Sequence, residues 1–417
     1  MIRGLYTLAV IGAQPLLRRK LRRRGAAEPG YLEHVDERFG RYQSSVEPGA
    51  LWIHAVSLGE TRAAGILIDE LRRVAPGIRI LLTHSTATGR AEGERLLREG
   101  DRQAWLPWDT PKAVRGFLDH FRPAAGVLME TEVWPNLVTA CRQRGIPLVL
   151  ANARLSDKSL AQARQLALLS HPAYAGLSAV WAQTEGDAQR LARAGAAVSG
   201  VFGNLKFDAA PDAQLLAQGR HWHEALRRPV VMFASSREGE EAEFFRLAHA
   251  MQQTHLQWLV VPRHPQRFGD VAALASSQGL SVSRRSAWCE APVAADVWIG
   301  DSLGEMALYY GLADVALLGG SFEKLGGQNL IEAAACGCPV IMGPHTFNFA
   351  QASQLAEEAG AALRVDSIAQ GLDRALELVA DRAWHAKTAQ AALDFAAAHR
   401  GAARRTAESV LALLAQR

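Results

Sequence analysis

Carboxylates gather at two points where apolar runs end. Glu60 follows LWIHAV (51–56) in the string Ser57-Leu58-Gly59-Glu60, and Glu130-Thr131-Glu132 follows AAGVLM (124–129) before running into Trp134-Pro135-Asn136. A glutamate held near neutrality can take the proton of a hydroxyl as that hydroxyl attacks, and a second carboxylate beside it raises the pKa of one of the pair. The same spacings also have structural uses. Ser57-x-x-Glu60 is a capping box, and Glu132 equally serves as negative charge at a helix N-terminus. A different chemistry sits farther along the chain. Pro262-Arg263-His264-Pro265 ends the apolar run QWLVVP (257–262), while Gly319-Gly320-Ser321-Phe322 and Gly326-Gly327-Gln328-Asn329 lead into a helix whose first turn carries Glu332. Arg263 can pair with phosphate, and the amides of the 326–329 turn and the following helix make an anion site. His264 fits a ligand contact or a packed, hydrogen-bonded role equally well.

These residues need elements that present them together. Short aliphatic runs at 51–56, 78–83, 124–129, 146–151 and 178–182 alternate with amphipathic stretches such as 60–74, where Ala63, Ala64, Leu67, Leu71 and Val74 recur at helical spacing. This βα alternation predicts a parallel sheet. It lapses over DAAPDAQLL (208–216) and resumes with runs at 230–235, 257–262, 296–300, 314–319 and 338–343. The expected fold is therefore α/β, with two doubly wound, Rossmann-like domains facing a cleft: 27–210 and 211–417, preceded by a separate segment, 1–26. Ligands of such sheets bind outside the carboxyl ends of the strands. Neither GxGxxG after a first strand nor GxxxxGK[ST] occurs, which argues against nicotinamide enzymes and P-loop NTPases.

Charge and cysteine usage narrow the classes further. Of 46 basic residues, seven lie in residues 1–27 with no acid among them, which leaves 39 against 42 acids in the remainder. A slightly acidic body argues against nucleic-acid binding. Cys141, Cys289, Cys336 and Cys338 are too few and too irregular for a disulfide framework or a zinc site, and indicate a reducing compartment. The Cys336-Gly337-Cys338 pair reads as small buried side chains. At the N-terminus the apolar stretch GLYTLAVIGAQPLL (4–17) precedes the basic run RRKLRRR (18–24), the reverse of a secretory signal. A helix of that apolar length reaches about 21 Å, short of the roughly 30 Å hydrocarbon core. A shallow anchor in an anionic leaflet is expected, with the body on the cytoplasmic side.

Seven blocks, in order along the chain, carry a resemblance: HAVSLGE (54–60), METEVWPN (129–136), GNLKFD (203–208), ASSREGEE (234–241), VPRHPQRF (261–268), GDSLGEM (300–306) and GGQNLIEAAACGCPVIMGP (326–344). Together they resemble the lipopolysaccharide Kdo transferases, GT-B glycosyltransferases that move 3-deoxy-D-manno-octulosonic acid (Kdo) from CMP-Kdo to the lipid A precursor lipid IVA with inversion. The resemblance implies that Glu60 is the general base, that Glu130 stabilises the transition state and that Lys206 neutralises the donor carboxylate or the leaving phosphate. It places CMP on the second domain against Pro262, Arg263, Leu303, Gly304, Glu305, Asn329, Leu330, Ile331 and Glu332. It also implies a protein at the cytoplasmic side of the inner membrane, bound to anionic lipid. No cofactor is expected, and the lack of a DxD pair or hard-metal spacing predicts transfer without a metal. Two alternatives remain: a GT-B enzyme acting on another nucleotide sugar, including an epimerase, and a non-catalytic membrane-surface scaffold. An epimerase has no need of the N-terminal segment, and a scaffold is indifferent to loss of Glu60.

Overall fold

Strands buried on both faces read as unbroken apolar runs, and the computed structural model places them in two parallel sheets. It describes residues 2–43, 45–251 and 255–415. The chain divides into two compact units: Met1–Asp208 with Arg400–Arg417, and Ala209–His399.

In the first unit the strands are β1 (Leu51–His54), β2 (Ile80–His84), β3 (Arg102–Trp105), β4 (Ala125–Met129), β5 (Leu148–Ala153), β6 (Ala179–Ala182) and β7 (Val198–Val201), in the order β3-β2-β1-β4-β5-β6-β7. The second unit contains β8 (Val230–Ser236), β9 (Gln257–Pro262), β10 (Val282–Arg284), β11 (Val297–Ile299), β12 (Val315–Leu318), β13 (Val340–Met342) and β14 (Ala362–Arg364), in the order β10-β11-β9-β8-β12-β13-β14. Every pairing is parallel. The ten strands expected from apolar runs are present. The four not expected, β3, β7, β10 and β14, are the sheet edges, whose partly polar sequences (RQAW, VSGV, VSR, ALR) carry no clear burial pattern.

Three expectations need correction. The N-terminal segment is not a separate domain: it forms a 26-residue helix, α1 (Ile2–Ala27), inside the first unit, that runs through both the apolar stretch and the basic run. The second domain does not run to the C-terminus. The helix Ala402–Ala415 returns to the first unit, where Ala402, Ala403, Ala407 and Val410 join the core beneath β1 and α2 (Leu58–Val74). Asp208 fastens this return by accepting the amides of Gly401 and, at 2.7 Å, Ala403. Finally, the link between units is shorter than 208–216, because Asp212 caps a helix that starts at Ala213. Among the described residues no helix is long and apolar enough to cross a membrane.

Candidate functional site

β1 and β4 are neighbours, yet the chain leaves them in opposite directions, to β2 and β3 on one side and to β5, β6 and β7 on the other. Crevices at such reversals are where doubly wound sheets bind ligands. Three glutamates stand at this one. Glu60 lies in the first turn of α2, its Oε2 accepting the Val56 amide at 2.9 Å and its Oε1 the Ser57 hydroxyl at 3.2 Å. The capping contact is thus real, though the backbone amide it takes is that of Val56 rather than of the cap residue Ser57. It does not hold the carboxyl acidic. Burial pushes the Glu60 pKa up to about 7 against the pull of the Val56 amide, and the negative charges of Glu130 and Glu132 push the same way.

Glu130 follows β4 with φ of 58°, a left-handed conformation that a side chain rarely adopts. Its amide donates to Ala151 O at 3.0 Å, its carbonyl accepts the Arg154 amide at 3.2 Å, and the Arg154 guanidinium donates to Oε2 at 2.7 Å. It is 3% exposed, so the strained turn delivers a buried carboxylate that carries its own counter-charge. Glu132 accepts the Trp134 indole N–H at 2.8 Å, and burial raises its pKa. The helix it was expected to complement, Pro135–Gln143, is capped by a residue that sequence reasoning missed: Asp109 accepts the amides of Asn136 and Leu137 at 2.9 and 2.8 Å. Lys206 lies half-buried in the Leu205–Asp208 turn, which packs on α2. Asn152 Oδ1 fixes that turn from β5 by accepting the Leu205 amide.

Asp109 also docks α1. Tyr6 donates its hydroxyl to Asp109 Oδ2 at 3.0 Å, and Asn136 Nδ2 donates to Thr7 Oγ1 at 3.1 Å. Between α1 and the carboxyl ends of the first sheet lies a pocket of about 700 Å³. Val10, Leu17, Leu21, Leu106 and Trp108 line it, with Lys20, Arg24 and Arg38, and it reaches Val56 and Glu132 beside the glutamate cluster. On the rest of α1, Leu5, Leu8, Ile11 and Leu16 are 47–69% exposed, an unusual amount of apolar surface for a single helix.

Beneath the glutamates lie two further residues without an assigned part, His54 and His84. Each has Nδ1 at 3.0 Å from a carbonyl, Thr83 O and Ala55 O respectively, so that nitrogen carries the proton. Burial drives their pKa values down to about 3 and about 4. They are neutral struts that tie the loop leading to Glu60 onto β2.

In the second unit the corresponding reversal lies between β8 and β12. Arg263, following β9, donates its amide to Ser236 O and its Nε to Gln328 Oε1 at 3.2 Å, which joins the VPRH and GGQN blocks. Pro262 is buried as the last residue of β9. The buried carboxylate of Glu240 accepts the amides of Arg237, Gly320 and Phe322 at 3.0, 2.8 and 3.2 Å, and so binds the loops after β8 and β12 together. His264 has its pKa lowered by burial and by the surrounding Arg237, Arg263 and Arg267, so it adds no charge to that cluster at neutrality. Asn329 Oδ1 is occupied as the cap of the short helix Leu330–Ala335, accepting the Ile331 amide at 3.2 Å, and the Leu330 and Ile331 side chains are core residues at 1% exposure. Glu332 is half-buried near Tyr310. Leu303 is 71% exposed, Gly304 has φ of 83°, and Glu305 pairs with Arg285 at 2.9 Å. Among the described residues no three His, Cys, Asp or Glu side chains are grouped to hold a metal ion.

Comparison with known proteins gives a consistent picture. Residues 33–209 match the family described as 3-Deoxy-D-manno-octulosonic-acid transferase (kdotransferase). The chain is 48% identical to the 3-deoxy-D-manno-octulosonic acid transferase of Bordetella pertussis, with 98% of this chain and 99% of that protein covered. It is 33% identical to the Haemophilus influenzae protein of the same name, with 90% of each covered. Among solved structures it is similar to the UDP-GlcNAc 2-epimerase of Neisseria meningitidis bound to UDP-GlcNAc, with TM-score 0.58, 15% identity, 87% of this chain and 99% of that one covered. That last likeness is one of fold.

Proposed function

The chain belongs to the 3-deoxy-D-manno-octulosonic acid transferases, glycosyltransferases of lipopolysaccharide biosynthesis, and from that premise we propose that it moves Kdo from CMP-Kdo to lipid IVA with inversion. The observation that carries the reading is a glutamate with its pKa raised to about 7, at a topological reversal, beside an apolar pocket walled by α1. In the reaction an acceptor hydroxyl gives its proton to Glu60 as its oxygen bonds to the anomeric carbon. The bond from that carbon to the phosphate oxygen breaks, and CMP leaves with the electron pair. Glu130 supplies fixed negative charge to the electron-poor anomeric centre. Lys206 offsets the donor carboxylate or the leaving phosphate.

CMP belongs with the second unit. Arg263 pairs with its phosphate, Glu332 meets the ribose, and the amides of the 326–329 turn other than Gly327, which already donates to Gly320 O, face anionic oxygens. Of Asn329, Leu330 and Ile331, only backbone groups are left to contact it. Leu303, Gly304 and Glu305 complete the nucleotide contacts, and no metal takes part.

The acceptor's acyl chains lie in the pocket against α1, whose exposed leucines enter the cytoplasmic leaflet of the inner membrane while its arginines hold anionic headgroups. The test is an assay of purified protein with CMP-Kdo and a tetraacylated, bisphosphorylated disaccharide, read by product mass. Addition of one or more Kdo units is expected. Epimerisation or hydrolysis of a nucleotide sugar without acceptor modification contradicts the proposal.

A further inference from the structure

The α1 pocket contains a buried cation that no carboxylate among the described residues pairs with. Arg38 lies in the short turn Val35–Phe39 and is 5% exposed. Its guanidinium stacks over Trp105, 3.9 Å from the ring centroid, and its only hydrogen bond among the described residues is a long one, from an NH2 group to Ser85 O at 3.4 Å. The buried Nε has no hydrogen-bond partner, and no carboxylate among the described residues lies within ion-pair distance. The acid beside it in sequence, Glu37, is already taken by Arg90 at 3.2 Å and by the Trp105 amide at 2.8 Å. The two acids lining the pocket are occupied as well, Asp109 by Tyr6 and two amides, Glu132 by the Trp134 indole. A buried, unmatched guanidinium is costly, and its donors suit a phosphate oxygen pair.

The wall opposite is graded to suit. Along one face of α1 the pocket meets Val10 and Leu17, then Lys20 and Arg24, one turn apart. The apolar part of the helix therefore precedes a basic end, of which Arg24 is close enough to lower the Arg38 pKa.

We propose that Arg38, with Lys20 and Arg24 at its rim, forms an anion subsite that binds a phosphomonoester of the acylated acceptor while the acyl chains lie toward Val10 and Leu17. Burial lowers the Arg38 pKa to about 10, which leaves it charged at neutral pH. The subsite deepens the proposed function and rests on it. A phospholipid headgroup offers the same chemistry, so the test must separate the two.

In neutral detergent without phospholipid, equilibrium binding of the bisphosphorylated, tetraacylated disaccharide and of its enzymatically dephosphorylated form is followed by tryptophan fluorescence, with no donor present, on the full chain. KM and kcat for transfer to both are measured alongside. Arg38→Gln is expected to weaken binding and raise KM for the phosphorylated acceptor about tenfold to a hundredfold, with the dephosphorylated one unchanged and Arg38→Lys partly restoring the difference. The exposed pair Lys20→Gln and Arg24→Gln, combined, shows the same selective loss to a smaller extent, and decides the matter if Arg38→Gln lowers the thermal midpoint. Equal losses on both acceptors, no loss on either, or a loss confined to binding of phosphatidylglycerol vesicles overturns the subsite. Intact selective binding without any Kdo transfer overturns the proposed function instead and leaves the subsite standing.

Discussion

The carboxyl ends of the two sheets have the same topology and opposite electrostatics. At the first, Glu60, Glu130 and Glu132 crowd together, and the one guanidinium bonded to them among the described residues, Arg154, is attached to Glu130, so Glu60 is left protonatable near pH 7. At the second, Arg237, Arg263 and Arg267 gather round a neutral His264, while the buried acid Glu240 is absorbed by backbone amides and Glu241 by Arg267. In the proposed reaction, two copies of one architecture supply a proton acceptor in one case and an anion holder in the other. Strand order supplies the crevice, and the handful of side chains after each strand decides its chemistry.

The largest effect should come from removing the proton acceptor. Glu60→Gln keeps the size of the side chain and much of its capping geometry, so single-turnover transfer falls about 10²–10⁴-fold while calorimetric CMP affinity stays unchanged. On the anion side, Arg263→Ala weakens CMP binding by about 1.5–3 kcal/mol through loss of a charged phosphate contact. If calorimetry finds the same affinity, the nucleotide does not lie at the turn after β9. Exchanging the two outcomes, with CMP binding lost in the first variant and transfer alone in the second, would reverse the assignment of the two ends.

Much of this contrast was legible in sequence. Glu130 and Arg263 each follow an apolar run directly, and Glu60 comes four residues after one; the period-free aliphatic runs located all ten inner strands. What stayed hidden depends on residues far apart in the chain. Asp109 stands in a stretch that reads only as a helix start, and its importance lies in Tyr6, 103 positions earlier, and in the amides of residues 136 and 137. Arg38 looks like any surface arginine until the fold buries it against Trp105. The C-terminal helix carries an ordinary apolar stripe that does not say which unit it covers; Asp208, where GNLKFD ends and DAAPDAQLL begins, is what brings it back. Asn329, Leu330 and Ile331 fall in a block that resembles a binding site, and their side chains are a cap and two core residues.

Smaller effects sharpen the picture of how the first crevice is held. Asp109→Ala leaves two helix amides and the Tyr6 hydroxyl without their acceptor and should cost about 1–3 kcal/mol of stability, seen in chemical denaturation, with CMP binding retained. A change in CMP affinity in that variant would mean that the units are not independent in this respect. The histidine struts give a pH signature. Their pKa values are depressed when folded, so the unfolded chain takes up protons first and their contribution is lost as pH falls below about 6.5. The raised carboxyls of Glu60 and Glu132 act in the opposite sense, losing stability as pH rises above their unfolded values. Comparing the unaltered chain with a His54→Gln, His84→Gln double variant at pH 7 and pH 5 isolates the first contribution: the change in stability from pH 7 to pH 5 should be less unfavourable in the variant. Chelation with EDTA should leave transfer unchanged, the smallest effect of the set.

The most direct measurement is the pH profile of single-turnover transfer, taken on the unaltered protein and on Glu60→Gln with the thermal midpoint recorded on the same samples. A base with its pKa near 7 gives an unaltered-protein rate that rises through about pH 7 as Glu60 loses its proton, and a Glu60→Gln rate that is low and lacks that limb, at nearly the same midpoint. Near-normal transfer by Glu60→Gln with the limb intact, accompanied only by a lowered thermal midpoint, would reduce Glu60 to its capping contact with Val56 and contradict the assignment of the proton acceptor to this crevice.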